Sequence, residues 1–428
     1  MTITSSILLT SGGGGTGGTI TGPRNKIEVY TGTLPETCEY TGSGDWSTWG
    51  ATTFTWTKPA SMKADVPLIV HVWGPGGNSG CNNNGFGGGG GGYAYKKIAV
   101  ASLNSTETIT IGVPHWSTKN SRGSDSSFGS HCSATGGNDG ANTSNPSGNP
   151  NATGENSNPQ TSVDSGYGQG GIGVGGDINR RGGQGGYSHT ASPGSGSGGG
   201  GGSAPRPISG IYEGTEGRDG YRGGSGHTSY YSSSGASICY PGTNGPNHWN
   251  GTGGAGTAGC GVGGRWNQDY RTRGGPGGAG LFGAGGRGYS LVGWTHDDNL
   301  KPGGQAAKSG HGGAIWDPNG ITLGGGGGGG GGATRASSGQ ACSAAGNGGP
   351  GAGGGSYHVY DSSTNTRGGH SGNGGVLGGS GGGGQYVGTP AAGCAGGSGG
   401  SGWDAEPYGS RGQSIGGFGL IVLQYAVE

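Results

Sequence analysis

Nine consecutive glycines, Gly324 to Gly332, stand in a chain where glycine supplies 122 of 428 residues. Glycine in regular structure costs roughly 0.5–1 kcal/mol more than alanine in lost backbone freedom. It offers nothing to its surroundings except an N–H, a C=O and two α-hydrogens. An ordered glycine stretch therefore holds to its neighbours main chain to main chain. The geometry that suits this is the extended left-handed helix with three residues per turn and a rise of about 3.1 Å, which makes no internal hydrogen bonds. Each inter-segment bond contributes only about 0.5–1.5 kcal/mol. That is comparable to the glycine penalty, so many segments must pack together. The blocks are available: 168–176, 182–186, 198–202, 253–264, 274–288, 324–332, 346–355, 372–384 and 396–402 are all glycine-rich. Their spacing is irregular, so no fixed-period solenoid is indicated. No Gly-X-Y register is kept either, which sets collagen aside.

Charge narrows the partners. Lys plus Arg is 22 and Asp plus Glu is 22, so the formal charge is zero. Phosphate binding leaves a basic surplus, and none exists, so neither nucleic acid nor an anionic membrane is the expected partner. Apolar residues are 27% of the chain, too few for a conventional core of this length, yet 10 Trp and 18 Tyr are too many for an inert linker. The seven cysteines show no CxxC spacing, and their odd number leaves at least one unpaired within the chain. The N-terminal stretch lacks the basic region of a signal peptide. No run approaches the roughly 20 apolar residues of a spanning helix, so no membrane insertion is expected. Synthesis in a cytoplasm without signal-directed export is the expectation.

Helical periodicity is absent, and strand signals cluster at the two ends of the chain. Lys26–Tyr30, Phe54–Thr57, Val66–Trp73, Tyr93–Val100 and Thr106–Ile111 read as strands, and Gly416–Tyr425 reads as a closing strand. The fold class predicted is mostly β and irregular, with almost no α-helix. A small sheet or sandwich forms from the N-terminal strands and the C-terminal one, beside a central bundle of packed polyglycine-II helices. The boundaries predicted are 1–52, an N-terminal segment; 53–115, a β-strand region; 116–415, the glycine-rich domain with variable loops; and 416–428, a strand returning to pair with 53–115.

Phe54-Thr-Trp-Thr-Lys-Pro59, then Val66–Trp73 running into Gly74-Pro-Gly-Gly77, then Gly87–Tyr93 and the closing Gly-Gly-Phe-Gly-Leu-Ile-Val-Leu-Gln-Tyr form an ordered series. The series resembles the glycine-rich domain of bacteriophage tail-fibre proteins and covers about 53–428. The central blocks resemble the fibre-tip adhesins of T-even-like phages, in which stacked polyglycine helices present loops to the bacterial receptor. The resemblance implies a virion tail-fibre protein that binds a host cell-surface glycan or outer-membrane protein. It also implies contacts to other tail proteins, for which residues 1–52 are the candidate, and either a homotrimer or a single chain. Similar glycine-helix packing occurs in a receptor-kinase ectodomain and in snow-flea antifreeze protein, so packing alone does not identify function. A purely structural virion protein (shaft, adaptor or decoration) is the alternative. An ice-binding or cell-surface structural protein is a remoter one, which a flat regular face of Thr or Asn would support.

No enzymatic constellation emerges, and neither a cofactor nor a metal site is predicted. The GxGxxG matches sit on no strand-to-helix turn. His131-Cys132 has no spaced ligand partner, and Asp297-Asp298 and Asp404-Ala-Glu406 read as solvated loop charges rather than a hydrolytic pair. The Arg-Gly-Gly triplets at Arg181, Arg222, Arg273 and Arg367 imitate RNA-binding boxes, but those are strongly basic. The binding candidates are the aromatics between glycine blocks: Trp116, Tyr230, Tyr231, Trp249, Trp266, Tyr270, Trp294, Trp316, Tyr357 and Tyr360. A flat ring beside polar groups suits a sugar or a protein loop. Covering the glycine bundle as a substitute core is the competing role for each of them.

Overall fold

The computed structural model describes residues 23–32, 51–78, 87–114, 122–140, 168–183, 185, 189–190, 196–197, 202, 204–205, 207, 264–265, 273–274, 314–317, 320–323, 332–335, 357–360, 377, 395–396 and 416–428. Its strands are β1 (Lys26–Thr31), β2 (Thr52–Thr57), β3 (Leu68–Trp73), β4 (Tyr93–Ile98), β5 (Thr106–Ile111), β6 (Ser126–Phe128), β7 (Cys132–Ala134), β8 (Gly173–Val174) and β9 (Ile178–Arg180). Short ones follow: β10 (His189–Thr190), β11 (Gly196–Ser197), β12 (Gly264–Arg265), β13 (Arg273–Gly274), β14 (Ala314–Asp317), β15 (Gly320–Leu323), β16 (Gly332–Arg335) and β17 (Tyr357–Tyr360). The last strand is β18 (Leu420–Tyr425). Among the described residues the only helical element is one 3-10 turn, Val100–Ser102. The chain is mostly β, as the missing helical period predicts.

Two antiparallel five-stranded sheets dominate, in the orders β1-β18-β3-β4-β9 and β2-β5-β6-β7-β8. The closing strand reaches back across nearly the whole chain. It pairs with β3 (Ile421↔Val72) on one side and with β1 (Val422↔Val29) on the other. The short strands form two-stranded ladders, antiparallel except for β16 with β17.

The packing follows from the residue pattern of each strand. β5 alternates, so Ile109 and Ile111 point inward while Thr106 and Thr108 stay exposed. β3 and β18 are apolar almost throughout, which is the pattern of a strand covered on both faces, and every residue of both is buried. Leu68, Val70, Val72 and Leu423 face the second sheet through Ile109 and Phe128. On the opposite face Ile69, Trp73, Tyr93 and Val422 pack under Ala204, Leu377 and Ala395. The first sheet is thus a middle layer, and each fully buried aliphatic side chain contributes about 1.5–3 kcal/mol.

Candidate functional site

Beyond Trp73 the chain does not turn tightly. Gly74–Asn78 runs out from the sheet and Gly87–Gly92 returns to start β4. These segments bond through the main chain, Gly74 N to Gly92 O at 3.0 Å and Gly77 N to Gly89 O at 2.8 Å. The next contacts repeat the interval: Gly92 N to Thr135 O and Gly89 N to Asn138 O, both 3.0 Å, then Thr135 N to Ile172 O and Asn138 N to Gln169 O, both 2.8 Å. Gly182 N to Gly171 O and Gly185 N to Gly168 O continue it at 2.9 and 2.7 Å. The bonds recur every third residue, whereas an antiparallel ladder repeats every second. A three-residue period turns successive residues toward different neighbours. Segment 87–92 accordingly bonds to residues of 74–77, 135–138, 171, 183, 202 and 395.

Only glycine permits such spacing. A Cβ on Gly91 would lie 1.9 Å from the carbonyl oxygen of Gly74, and one on Gly74 would lie 2.0 Å from that of Thr135. The main chains are already in contact where a side chain would begin.

The bundle has a direction. Segments 74–78, 135–140 and 181–185 leave the sandwich from the ends of β3, β7 and β9, while 87–92, 168–172 and 416–419 enter β4, β8 and β18. Gly112–Pro114 leaves β5 on this side, and residues 122–125 enter β6 from it. The flanks of 79–86, 115–121 and 141–167, and the limits of the long stretch between 185 and 416, therefore lie at one end. The tight connections at 129–131 and 175–177 lie at the other.

Polar side chains close the bundle at its outer end. Asp139 Oδ1 accepts from Asn78 N at 2.8 Å, and Asn78 Oδ1 accepts from Gly416 N at 2.8 Å, so two side chains tie three segments. Arg181 Nη2 donates to Gln169 Oε1 at 2.7 Å, a bond between bundle segments. Asp139 is 1% exposed and its Oδ2 has no hydrogen-bond partner. Burial pushes its carboxyl well above the usual range, against the opposing effect of the Asn78 N–H. Sequence reading passed over Asn78 and Asp139; the available signal was a polar residue ending a glycine run next to a long polar loop.

Three further titratable groups, His71, Glu107 and Cys132, lie within the sandwich. His71 is buried between the Tyr93 hydroxyl at 2.8 Å and Gln424 Oε1 at 2.9 Å, and burial pushes it down to about 4. Glu107 Oε1 lies 3.0 Å from His131 Nε2 and accepts from Asn104 N at 2.9 Å. Burial raises the carboxyl of Glu107, but the bonds from His131 and Asn104 prevail and hold it below its ordinary value. Cys132 is a free thiol in the core, pushed up to about 12 by burial. Neighbours in sequence, His131 and Cys132 thus serve different surroundings. Among the described residues no group of three or more His, Cys, Asp or Glu comes together.

Of the aromatic candidates, Trp316 lies on β14 opposite Ile321, and Tyr357 and Tyr360 lie on β17 opposite Gly332 and Arg335. Trp116, Tyr230, Tyr231, Trp249, Trp266, Tyr270 and Trp294 fall outside the described residues, as do the run Gly324–Gly331 and the six other cysteines. The chain matches no protein-family model and no curated protein.

Proposed function

We propose that this chain is a non-enzymatic tail-fibre or receptor-binding protein of a bacteriophage. In this reading the glycine segments are polyglycine-II helices, and the loops between them recognise a host glycan or outer-membrane protein. The observation that carries the reading is the one-sided bundle: chain segments bonded at a three-residue interval, with the flanks of the polar sequences 79–86, 115–121 and 141–167 at a single end. Rigid main-chain packing holds the loop bases without involving loop side chains, so loop sequence is free to follow a receptor. Neutral overall charge fits a glycan or protein target better than a phosphate-rich one. Residues 1–52 then contact neighbouring tail proteins. The test is adsorption: purified protein should coat susceptible bacteria and block phage attachment, and Trp116→Ala should weaken both. Normal adsorption by loop variants, with particles failing to assemble when the chain is removed, would favour the shaft, adaptor or decoration role instead.

One observation favours the remoter reading. Thr53, Thr55 and Thr57 lie directly opposite Thr110, Thr108 and Thr106, a regular uncharged hydroxyl grid that is exposed except at half-buried Thr110. If that grid binds ice, the protein inhibits ice recrystallisation and Thr108→Lys abolishes the effect; inactivity of the wild-type protein removes this reading.

A further inference from the structure

The outer edge of β2 is unlike the other described sheet edges. Lys58 N donates to Ser105 O at 2.9 Å, one step past the pair Thr57↔Thr106, and this fixes the phase of the β2–β5 ladder. Thr52, Phe54 and Trp56 are its hydrogen-bonded members. Thr53, Thr55 and Thr57 therefore aim their N–H and C=O groups outward, away from β5. The side chains of the same three residues are exposed. Sheet edges are normally protected by charges, proline, bulges or short length. β1 carries Lys26 and Glu28, β9 carries Arg180, and β8 is only two residues long. β2 has six residues and none of these protections within it; Lys58 and Pro59 follow only at its end.

We infer that this edge pairs with the same edge of a second copy of the chain, antiparallel, about a two-fold axis at Thr55. Facing residues must lie on the same side of the sheet and both aim outward along it. The register centred on Thr55 engages all three such residues: Thr55 faces Thr55 of the second copy, and Thr53 faces its Thr57. Each of these pairs exchanges two main-chain hydrogen bonds. On the inner side Phe54 falls opposite Trp56 of the second copy. Phe54 is half-buried in the single chain, where its ring lies 5.4 Å from that of Tyr30. A slip of one residue would set threonine against an aromatic and reverse the faces. The contact uses one patch twice, as a closed two-fold dimer requires, and strand addition supplies its affinity. No charge lies within Thr52–Thr57, and Lys58, which would fall opposite Thr52, turns its Nζ to Leu103 O at 3.2 Å, so among the described residues no like charges face each other in this register.

Light scattering on the full chain at micromolar concentration tests this, with the expected mass that of two chains. Thr55→Pro removes the central N–H from both copies and should weaken dimerisation about a hundredfold. Thr55→Lys and Thr55→Glu each place like charges on the axis and should be monomeric, with melting curves showing a folded chain. Their mixture should restore a dimer containing one of each. A monomeric wild-type protein, an unchanged mass in all three variants, or no recovery on mixing would overturn the proposal.

Discussion

Two buried ionisable residues pull the pH dependence of stability in opposite directions. His71 ordinarily titrates at 6.5 and here at about 4, because its cation would be stripped of water between Tyr93 and Gln424. The unfolded chain takes up that proton first. The contribution of His71 is thus present above pH 6.5 and lost as pH falls toward 4, a change of roughly 3 kcal/mol. We expect thermal melts to drop across this window, and His71→Gln to be less stable at neutral pH but to lose the drop. Asp139 has the opposite sign. Its folded value is raised, so its favourable contribution exists below the ordinary carboxyl value and disappears as pH rises through the shifted one. Asp139→Asn keeps the acceptor for Asn78 N–H and puts a donor where Oδ2 has no partner. It should raise stability at neutral pH by about 1 kcal/mol or more, measured by denaturant titration; a loss would mean that the carboxyl group itself is required.

Elements were legible in the sequence wherever a period of two or a bounded apolar run persisted. Thr106–Ile111 is a strand over those same residues, and the apolar runs before Gly74 and at the C-terminus are β3 and β18. Pro67 trims the first run to Leu68, and Val100 leaves the expected fourth strand for the 3-10 turn. Ser126–Phe128, Cys132–Ala134 and the strands after them were not legible, because two or three residues cannot display a period. Main-chain bonding between glycines was anticipated from the absence of side chains and is seen among 74–77, 87–92, 168–171 and 182–185; the partners were not anticipated, since a glycine run carries no mark of which carbonyl it will meet. Asn78 and Asp139 were missed because a closing side chain is defined by segments distant in sequence. The elements differ in what they tolerate. Leu423→Ala empties space between the sheets and should cost about 2–5 kcal/mol. Gly91→Ala adds a single methyl, but one directed at a main-chain oxygen that cannot rotate aside. It should cost at least the upper end of about 1–3 kcal/mol, and a melting midpoint equal to wild type would show that the bundle adds little.

At the scale of the molecule, strands from opposite parts of the sequence, β1 and β18, lie side by side in one sheet. β1 covers β18 along six register pairs, Lys26↔Tyr425 to Thr31↔Leu420, and Asn25 Nδ2 bonds Val427 O at 3.0 Å. Glu28 accepts from the hydroxyls of both Tyr30 and Tyr425 beside them. Deleting residues 1–31 should leave the apolar β18 edge open, and the truncated protein should aggregate in light scattering while the full chain stays dispersed. Because the departures at 78, 114 and 140 are matched by re-entries at 87, 122 and 168 on the same side, a cassette exchanged between such a pair of points would shift no strand by a single residue. Mutation can then rewrite what the molecule meets in its surroundings while inheritance preserves what it folds around.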